Sequence, residues 1–168
     1  RVAVREFERA LVDPDVGQVL CVIDATRLEK SLYFTLQVIR DCQRHGKRVT
    51  VLANMTDVLD RHRLEFDVAG LAGALGVPVL AISARSGKGL DAIIARLRAN
   101  RDAPAETVPS DFADSPDALL RGTAHQLARR YGPRGDVLVR SQARLDGFFL
   151  NSFTGGIAFF LIMYLLFQ

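Results

Sequence analysis

The sequence predicts an α/β protein built on a partial, doubly wound parallel sheet. Three short runs rich in apolar residues, at positions 18–23, 48–53 and 77–83 (QVLCVI, RVTVLA and VPVLAIS), are predicted strands, and the first is an unbroken apolar run, as in a parallel strand covered on both faces. Segments with helical spacing separate these runs, and strands joined by helices form parallel sheets. Three strands make a thin sheet, so we expect further strands upstream of the first residue.

The helices of the first half are predicted from apolar spacing and from end signals. Residues 1–11 carry apolar side chains at helical spacing. After the first strand, Thr26 and Glu29 form a capping-box pattern, in which the Thr hydroxyl and the Glu carboxylate satisfy amides of the first turn. This pattern predicts a helix from Thr26 to about His45, with Gly46 as its stop.

The second half of the chain is predicted to be mostly helical. Asp67 is a cap for a short helix ending at Gly76. Another helix is predicted over residues 90–98, followed by a Pro-, Asp- and Ala-rich linker over residues 100–115. A small helical region then runs to Tyr131, and a last helix starts within residues 136–141.

The C-terminal segment, residues 147–168 (GFFLNSFTGGIAFFLIMYLLFQ), carries no charge. All-round apolarity predicts a hydrophobic C-terminal helix, either the start of a membrane span or a buried globular helix. Residues 121–144 hold six Arg against one acid, Asp136. This basic stretch suits a cytoplasmic juxtamembrane region or a plain solvated helix face, and we assign no nucleic-acid partner because Tyr131 is its one stacking side chain.

The composition is that of a globular domain with extra segments. The 168 residues are 49% hydrophobic and 24% charged, with a net charge of +3. The chain has two cysteines, Cys21 and Cys42, and neither has a CxxC partner or a neighbouring His cluster. We expect packed, reduced thiols and no metal site.

A polar motif, Asn54-Met55-Thr56-Asp57, follows the second predicted strand. Ligands bind beyond the carboxyl ends of strands in such sheets. An ionised Asp57 is acceptor-only, so it can take both N1–H and the exocyclic amine of guanine, whereas adenine offers an acceptor at N1. The Asn54 amide would contact the base and neighbouring loops, and Met55 would pack on the ring.

The third predicted strand ends in a second polar loop before a Gly-rich turn. In this loop the Ala84 backbone amide would donate to guanine O6. Both loops are similar to the base-reading loops of GTPases, although those loops normally carry Lys at the position of Met55. The candidate guanine-nucleotide-binding residues are Asn54, Met55, Thr56, Asp57, Ser83, Ala84 and Arg85.

A phosphate cradle of the form G-x-x-x-x-G-K-[ST] is absent from this sequence. Gly87-Lys88-Gly89 supplies the lysine, but Ile82 replaces the first glycine and Gly89 the Ser or Thr. We therefore assign no catalytic residue and expect no GTP hydrolysis from these residues alone. Mg²⁺ is expected only together with an upstream phosphate loop.

Residues 24–37 (DATRLEKSLYFTLQ) resemble the bacterial ferrous iron transport protein B family. The Asn-Met-x-Asp loop, residues 75–91 (LGVPVLAISARSGKGLD) and the tail FFLIMYLLFQ are similar to that family too. Met55 is then a family trait. The resemblance implies a P-loop GTPase-like fold lacking its N-terminal half, with GTP or GDP as ligand and Fe²⁺ as the ion that the whole protein transports.

The resemblance also implies an organisation and a location. Residues 1–99 would be the C-terminal half of the GTP-binding domain, residues 100–146 the linker and helical spacer, and residues 147–168 the start of a transmembrane helix. Residues 1–146 would be cytoplasmic, at the inner membrane, with the lipid bilayer as partner and a homo-oligomer of the whole transporter as a further expectation. Two alternatives stay open, a membrane-anchored GTPase without transport and a non-enzymatic α/β module.

Overall fold

The computed structural model describes residues 2–102 and 115–134, and residues 156, 164, 166 and 167 near the C-terminus. The chain divides into two compact units, Arg1–Arg134 and Gly135–Gln168. The described strands form one sheet. The helices are α1 (Val2–Val12), α2 (Leu28–Arg44), α3 (Thr56–Arg61), α4 (Val68–Leu75), α5 (Leu90–Asp102) and α6 (Asp117–Tyr131), and the strands are β1 (Gln18–Asp24), β2 (Arg48–Asn54) and β3 (Val79–Ala81).

The predicted parallel sheet is confirmed, with strand order β1-β2-β3 and parallel pairing throughout. Asp24 is in register with Asn54, so β1 and β2 end side by side. β2 is central, and its residues between the two ends are buried on both faces. This explains why Val49, Val51, Leu52 and Ala53, which point to both faces of the strand, are all apolar and buried.

Helix α2 packs on β1 and β2 through a stripe of buried residues. Leu32, Leu36 and Ile39 are fully buried, and their spacing of four and three residues places them on one helix face. Burying a large aliphatic side chain contributes about 1.5–3 kcal/mol, so this stripe is a main source of stability. Cys21 and Cys42 are buried, unpaired thiols, as expected.

The start of α2 differs from the prediction. The helix begins at Leu28, after a single 3₁₀ turn, Ala25–Arg27. Asp24 caps this 3₁₀ turn, because its Oδ1 accepts from the Thr26 amide at 2.8 Å and from the Thr26 hydroxyl at 2.7 Å, whereas the N-cap of α2 itself, Arg27, makes no side-chain cap bond. A carboxylate is the stronger acceptor, and the Thr26 hydroxyl serves as a donor to it. The predicted capping box is therefore wrong, and Glu29 instead contacts His125.

Helix α6 packs across α2 and α4. Leu120 is fully buried, and Asp117 Oδ1 accepts a hydrogen bond of 2.6 Å from Arg40 Nη1. The ring of Tyr131 lies against Gly70, where an added Cβ would come within 2.7 Å of two ring carbons. These contacts join the helical region after the linker to the same unit as the sheet.

Several predicted boundaries shift by a few residues. Asp67 caps α4 as predicted, with Oδ1 accepting from the Gly70 amide at 2.8 Å, and the helix ends at Gly76 with φ of +66°. β3 is shorter than predicted, because Ser83 pairs with Lys88 in an isolated antiparallel bridge. α5 extends to Asp102, into the predicted linker. The rest of that linker and the predicted last helix lie outside the described residues.

The predicted hydrophobic C-terminal helix also lies almost entirely outside the described residues. In that unit, Gly156, Tyr164, Leu166 and Phe167 have helical backbone. Across the described part of the chain, no helix combines the length and apolarity needed to cross a membrane. The domain boundaries at residues 99 and 146 stay a prediction.

Candidate functional site

The candidate site is formed where β2 ends and where the chain leaves β3. Asn54 closes β2, and Ser83 follows β3 by two residues. Because neighbouring parallel strands end at the same edge, the two polar loops meet there. The structure thus brings together the Asn54–Asp57 segment and the loop over residues 83–89, as the sequence predicts.

Met55 makes a left-handed turn between β2 and α3, with φ of 69° and ψ of 26°. This conformation is uncommon for a residue with a side chain and costs on the order of 1 kcal/mol. Its side chain is 44% exposed, beside the Asn54 amide. Such strain is typical of ligand-binding segments, and here it leaves an apolar side chain available for contact with a flat ring.

Thr56 points into the protein and not towards a ligand. It is 6% exposed. Its hydroxyl and its backbone amide both donate to the Ile82 carbonyl, at 2.8 and 3.2 Å. Thr56 therefore fastens the beginning of α3 to the end of β3, and direct contact with a ligand is left to its neighbours in the motif.

The side chains on either side of Thr56 reach the loop after β3. Asn54 Oδ1 accepts from the Ala84 backbone amide at 3.0 Å. Asp57 Oδ1 accepts from the Ser83 hydroxyl at 2.9 Å, and the Ser83 oxygen in turn accepts from the Ser86 amide at 3.3 Å. Ser83 is fully buried, so the Asp57 carboxylate rests on a rigid support.

This arrangement sharpens the chemical assignments made from the sequence. Asp57 is partly buried and keeps Oδ2, together with unused lone pairs, for further donors. Asn54 does contact the neighbouring loop, as expected. The Ala84 amide, assigned to a carbonyl oxygen of a ligand, is engaged by Asn54 in this structure. Ala84 and Arg85 are both exposed at the loop surface.

Sequence reasoning missed helix α3 and the ion pair that it forms. Asp60 lies three residues after Asp57, on the same face of α3. Asp60 Oδ2 is 2.6 Å from Lys88 Nζ, and both side chains are about 60% exposed (59% and 60%). The i, i+3 spacing of Asp57, the last residue of the motif, and Asp60 is the signal in the sequence for two acids on one face of a helix.

The loop that carries Lys88 is shaped by two glycines. Gly87 and Gly89 have φ of +78° and +82°, which a residue with a Cβ rarely adopts. Ser83 N donates to the Lys88 carbonyl at 2.9 Å and Gly87 N to the Ser83 carbonyl at 2.9 Å, closing the loop on itself. No set of three or more His, Cys, Asp or Glu in the described ranges could hold a metal ion.

A parallel sheet with interleaved helices and two polar loops at its carboxyl edge defines an α/β protein, and its fold resembles that of a GTPase G domain. The fold is shared with two solved cytosolic domains. That of the T. maritima FeoB iron transporter, in GMPPNP form, is 17% identical with a TM-score of 0.58, covering 90% of this chain and 50% of that one. That of L. pneumophila FeoB is 22% identical with a TM-score of 0.51, covering 78% and 61%.

The family follows from the sequence model described as "Ferrous iron transport protein B", which matches residues 5–97. The chain belongs to this family. A curated relative, the Fe(2+) transporter FeoB of Escherichia coli (strain K12), is 26% identical over 114 residues, 66% of this chain. The chain spans 14% of that relative's length.

Proposed function

We propose that this chain supplies the guanine-recognition loops of a GTP-binding transporter for ferrous iron. Family membership supports the general assignment, and the observation that carries it is the seating of Asp57 on buried Ser83 at 2.9 Å. This support presents a carboxylate at the carboxyl edge of the sheet. The proposal extends to the whole protein, which would lie in the inner membrane with the residues before 147 in the cytoplasm.

Asp57 would select the base. Its carboxylate can accept from N1–H and from the exocyclic amine of guanine side by side, since each oxygen has two lone pairs and one of four is used by Ser83. Adenine would oppose a lone pair to the carboxylate, and an unpaired buried polar group is strongly disfavoured. The partly buried position of Asp57 makes this mismatch costly.

The other candidate residues would complete the pocket around the ring. Met55 would pack its exposed side chain on one face of the base. Asn54 would hold the Ala84 loop while its amide nitrogen faces the base. The Ala84 amide would reach guanine O6 by sharing its hydrogen between O6 and Asn54, with exposed Arg85 beside it.

The phosphates, Mg²⁺ and Fe²⁺ would be held by other parts of the protein. An exposed apolar row supports a larger sheet: Leu90, Ile94 and Leu97 are 40%, 48% and 38% exposed and lie at i, i+4 and i+7 along α5. β1 is also at an edge of the described sheet and exposes Val22 to 61%. Further strands and helices of a complete G domain would cover these surfaces.

The test is a titration of the whole protein that carries these residues, purified in detergent, with a fluorescent GDP analogue and with GDP, IDP and ADP as competitors. We expect GDP to compete far better than ADP. Asp57→Ala should weaken GDP binding about 100-fold or more, because hydrogen bonds to a charged group contribute about 1.5–3 kcal/mol each. Asp15→Ala, an exposed carboxylate before β1, is the matched control and should leave binding unchanged.

The proposal fails if GDP and ADP compete equally in the unsubstituted protein. It also fails if Asp57→Ala retains the GDP preference while remaining folded. Circular dichroism of both Asp variants checks folding, so a loss of binding through unfolding is recognised separately.

A further inference from the structure

We propose that Lys88 is a positioning residue that slows nucleotide release by holding the loop over residues 83–89 against α3. The inference rests on the proposed guanine site and adds a residue pair that makes no contact with the base. Its basis is the ion pair between Lys88 Nζ and Asp60 Oδ2, at 2.6 Å.

The pair is the second of two parallel links between the same two elements. Asp57 and Asp60 lie on one face of α3, at i and i+3. Across from them, Ser83 and Lys88 are neighbours in an antiparallel bridge. Asp57 binds Ser83 at 2.9 Å and Asp60 binds Lys88, so each acid of α3 holds one arm of the loop.

The two arms differ in how firmly the rest of the protein holds them. Ser83 is fully buried and follows Ile82, whose carbonyl accepts from Thr56 twice. Residues 84–88 are exposed, and they form the part of the loop that would lie over the base. Lys88 is therefore placed to hold the C-terminal end of the loop, whereas Ser83 holds its N-terminal end.

The two links would therefore affect different properties, the selection of the base and the opening of the loop. Loss of the Ser83–Asp57 link would disturb the carboxylate that reads the base. Loss of the Lys88–Asp60 link would leave Asp57 in place but let the exposed arm open more often. The rate of nucleotide release should then rise, while the preference for guanine over hypoxanthine, which reports the Asp57 contact to the exocyclic amine, stays the same.

The experiment measures release of a fluorescent GDP analogue from the whole protein by stopped-flow displacement. Lys88→Met keeps an apolar stem and removes the charge. We expect a two- to fivefold faster release at low salt (about the range open to an exposed pair), with a smaller difference at about 1 M NaCl, where the Debye length falls to about 3 Å. Lys30→Met, an exposed lysine on α2, is the control and should release at the original rate.

Partner variants separate this role from direct contact of Lys88 with the nucleotide. Asp60→Asn should accelerate release as much as Lys88→Met, and the two together should do no more than either alone. The exchanged pair, Lys88→Asp with Asp60→Lys, should recover most of the original rate. The GDP-to-IDP affinity ratio should be unchanged in all of them.

Unchanged release in Lys88→Met, additive effects of the two single variants, or a changed GDP-to-IDP ratio would each overturn the inference. These results leave the guanine assignment standing if the unsubstituted protein prefers GDP to ADP. Equal binding of GDP and ADP by the unsubstituted protein would overturn both.

Discussion

Two glycines of the loop over residues 83–89 allow the cost of backbone strain to be measured separately from the cost of a steric clash. Gly87 and Gly89 both have positive φ, at +78° and +82°. At Gly87 an added Cβ would meet nothing within 4 Å, whereas at Gly89 it would lie 2.6 Å from the Ala81 carbonyl oxygen and 3.1 Å from Ile82 Cγ2. The pair Gly87→Ala and Gly89→Ala therefore shares the backbone strain and differs in the steric contact.

The magnitudes follow from these distances. Alanine in a left-handed conformation costs about 1–2 kcal/mol, and this is the whole expected loss for Gly87→Ala. Gly89→Ala adds a contact with a backbone oxygen of β3, which cannot rotate away as a side chain would. Overpacking of this kind costs about a further 1–3 kcal/mol, so the total expected loss is about 2–5 kcal/mol.

The assay is urea unfolding of both variants and the original protein, monitored by far-ultraviolet circular dichroism. The free energies of unfolding are compared with one common slope for their dependence on urea concentration. Gly89→Ala should lose clearly more stability than Gly87→Ala. It should also weaken GDP binding, because a shift of the Ala81 carbonyl moves Ile82 and Ser83. Equal losses in the two variants would refute the reasoning, since the close approach at Gly89 would then have no energetic consequence.

Three further predictions test other contacts. Thr56→Val removes the hydroxyl that donates to the Ile82 carbonyl at 2.8 Å while that carbonyl keeps the Thr56 amide. We expect a loss of about 0.5–1.5 kcal/mol in unfolding free energy and a lower GDP-to-IDP ratio in competition titrations, with Thr56→Ser close to the original protein. Arg40 lowers the pKa of Asp117 through a hydrogen bond, so the carboxylate's contribution to stability is present above the ordinary Asp pKa of about 4 and is lost as pH falls through the depressed value. Asp117→Asn should therefore destabilise the protein at pH about 7 and have little effect at pH about 2, as measured by thermal unfolding. Burial, and then the nearby Asp41 charge, raise the pKa of the Cys42 thiol to about 12, so iodoacetamide should label Cys42 at neutral pH only when urea unfolds the protein.

The regular elements could be predicted because their signals are local. The run RVTVLA is rich in apolar residues because β2 is buried on both faces. Asp67 begins α4 through its side chain, and Gly76 ends it through its left-handed backbone. The start of α2 could not be predicted as well. Asp24 and Thr26 both suit a cap, and the 3₁₀ turn that separates β1 from α2, which Asp24 caps, has no signal of its own in the sequence.

The candidate site was predictable in its composition and not in its internal bonding. The Asn54-x-x-Asp57 spacing and the end of the third strand indicated which loops meet. Thr56 turns inward because the backbone of Met55 is left-handed, and a methionine at that position does not predict this conformation. The link between Asp60 and Lys88 joins residues 28 positions apart, which local patterns cannot reveal.

The packing of α6 on α2 has a consequence for synthesis on the ribosome. Arg40 and its partner Asp117 are separated by 77 residues. At a translation rate of about 5–20 residues per second, α2 waits about 4–15 s before α6 is made. During that interval the apolar surface later covered by Leu120 is open to water, and the nascent chain offers chaperones a binding surface that the finished protein hides.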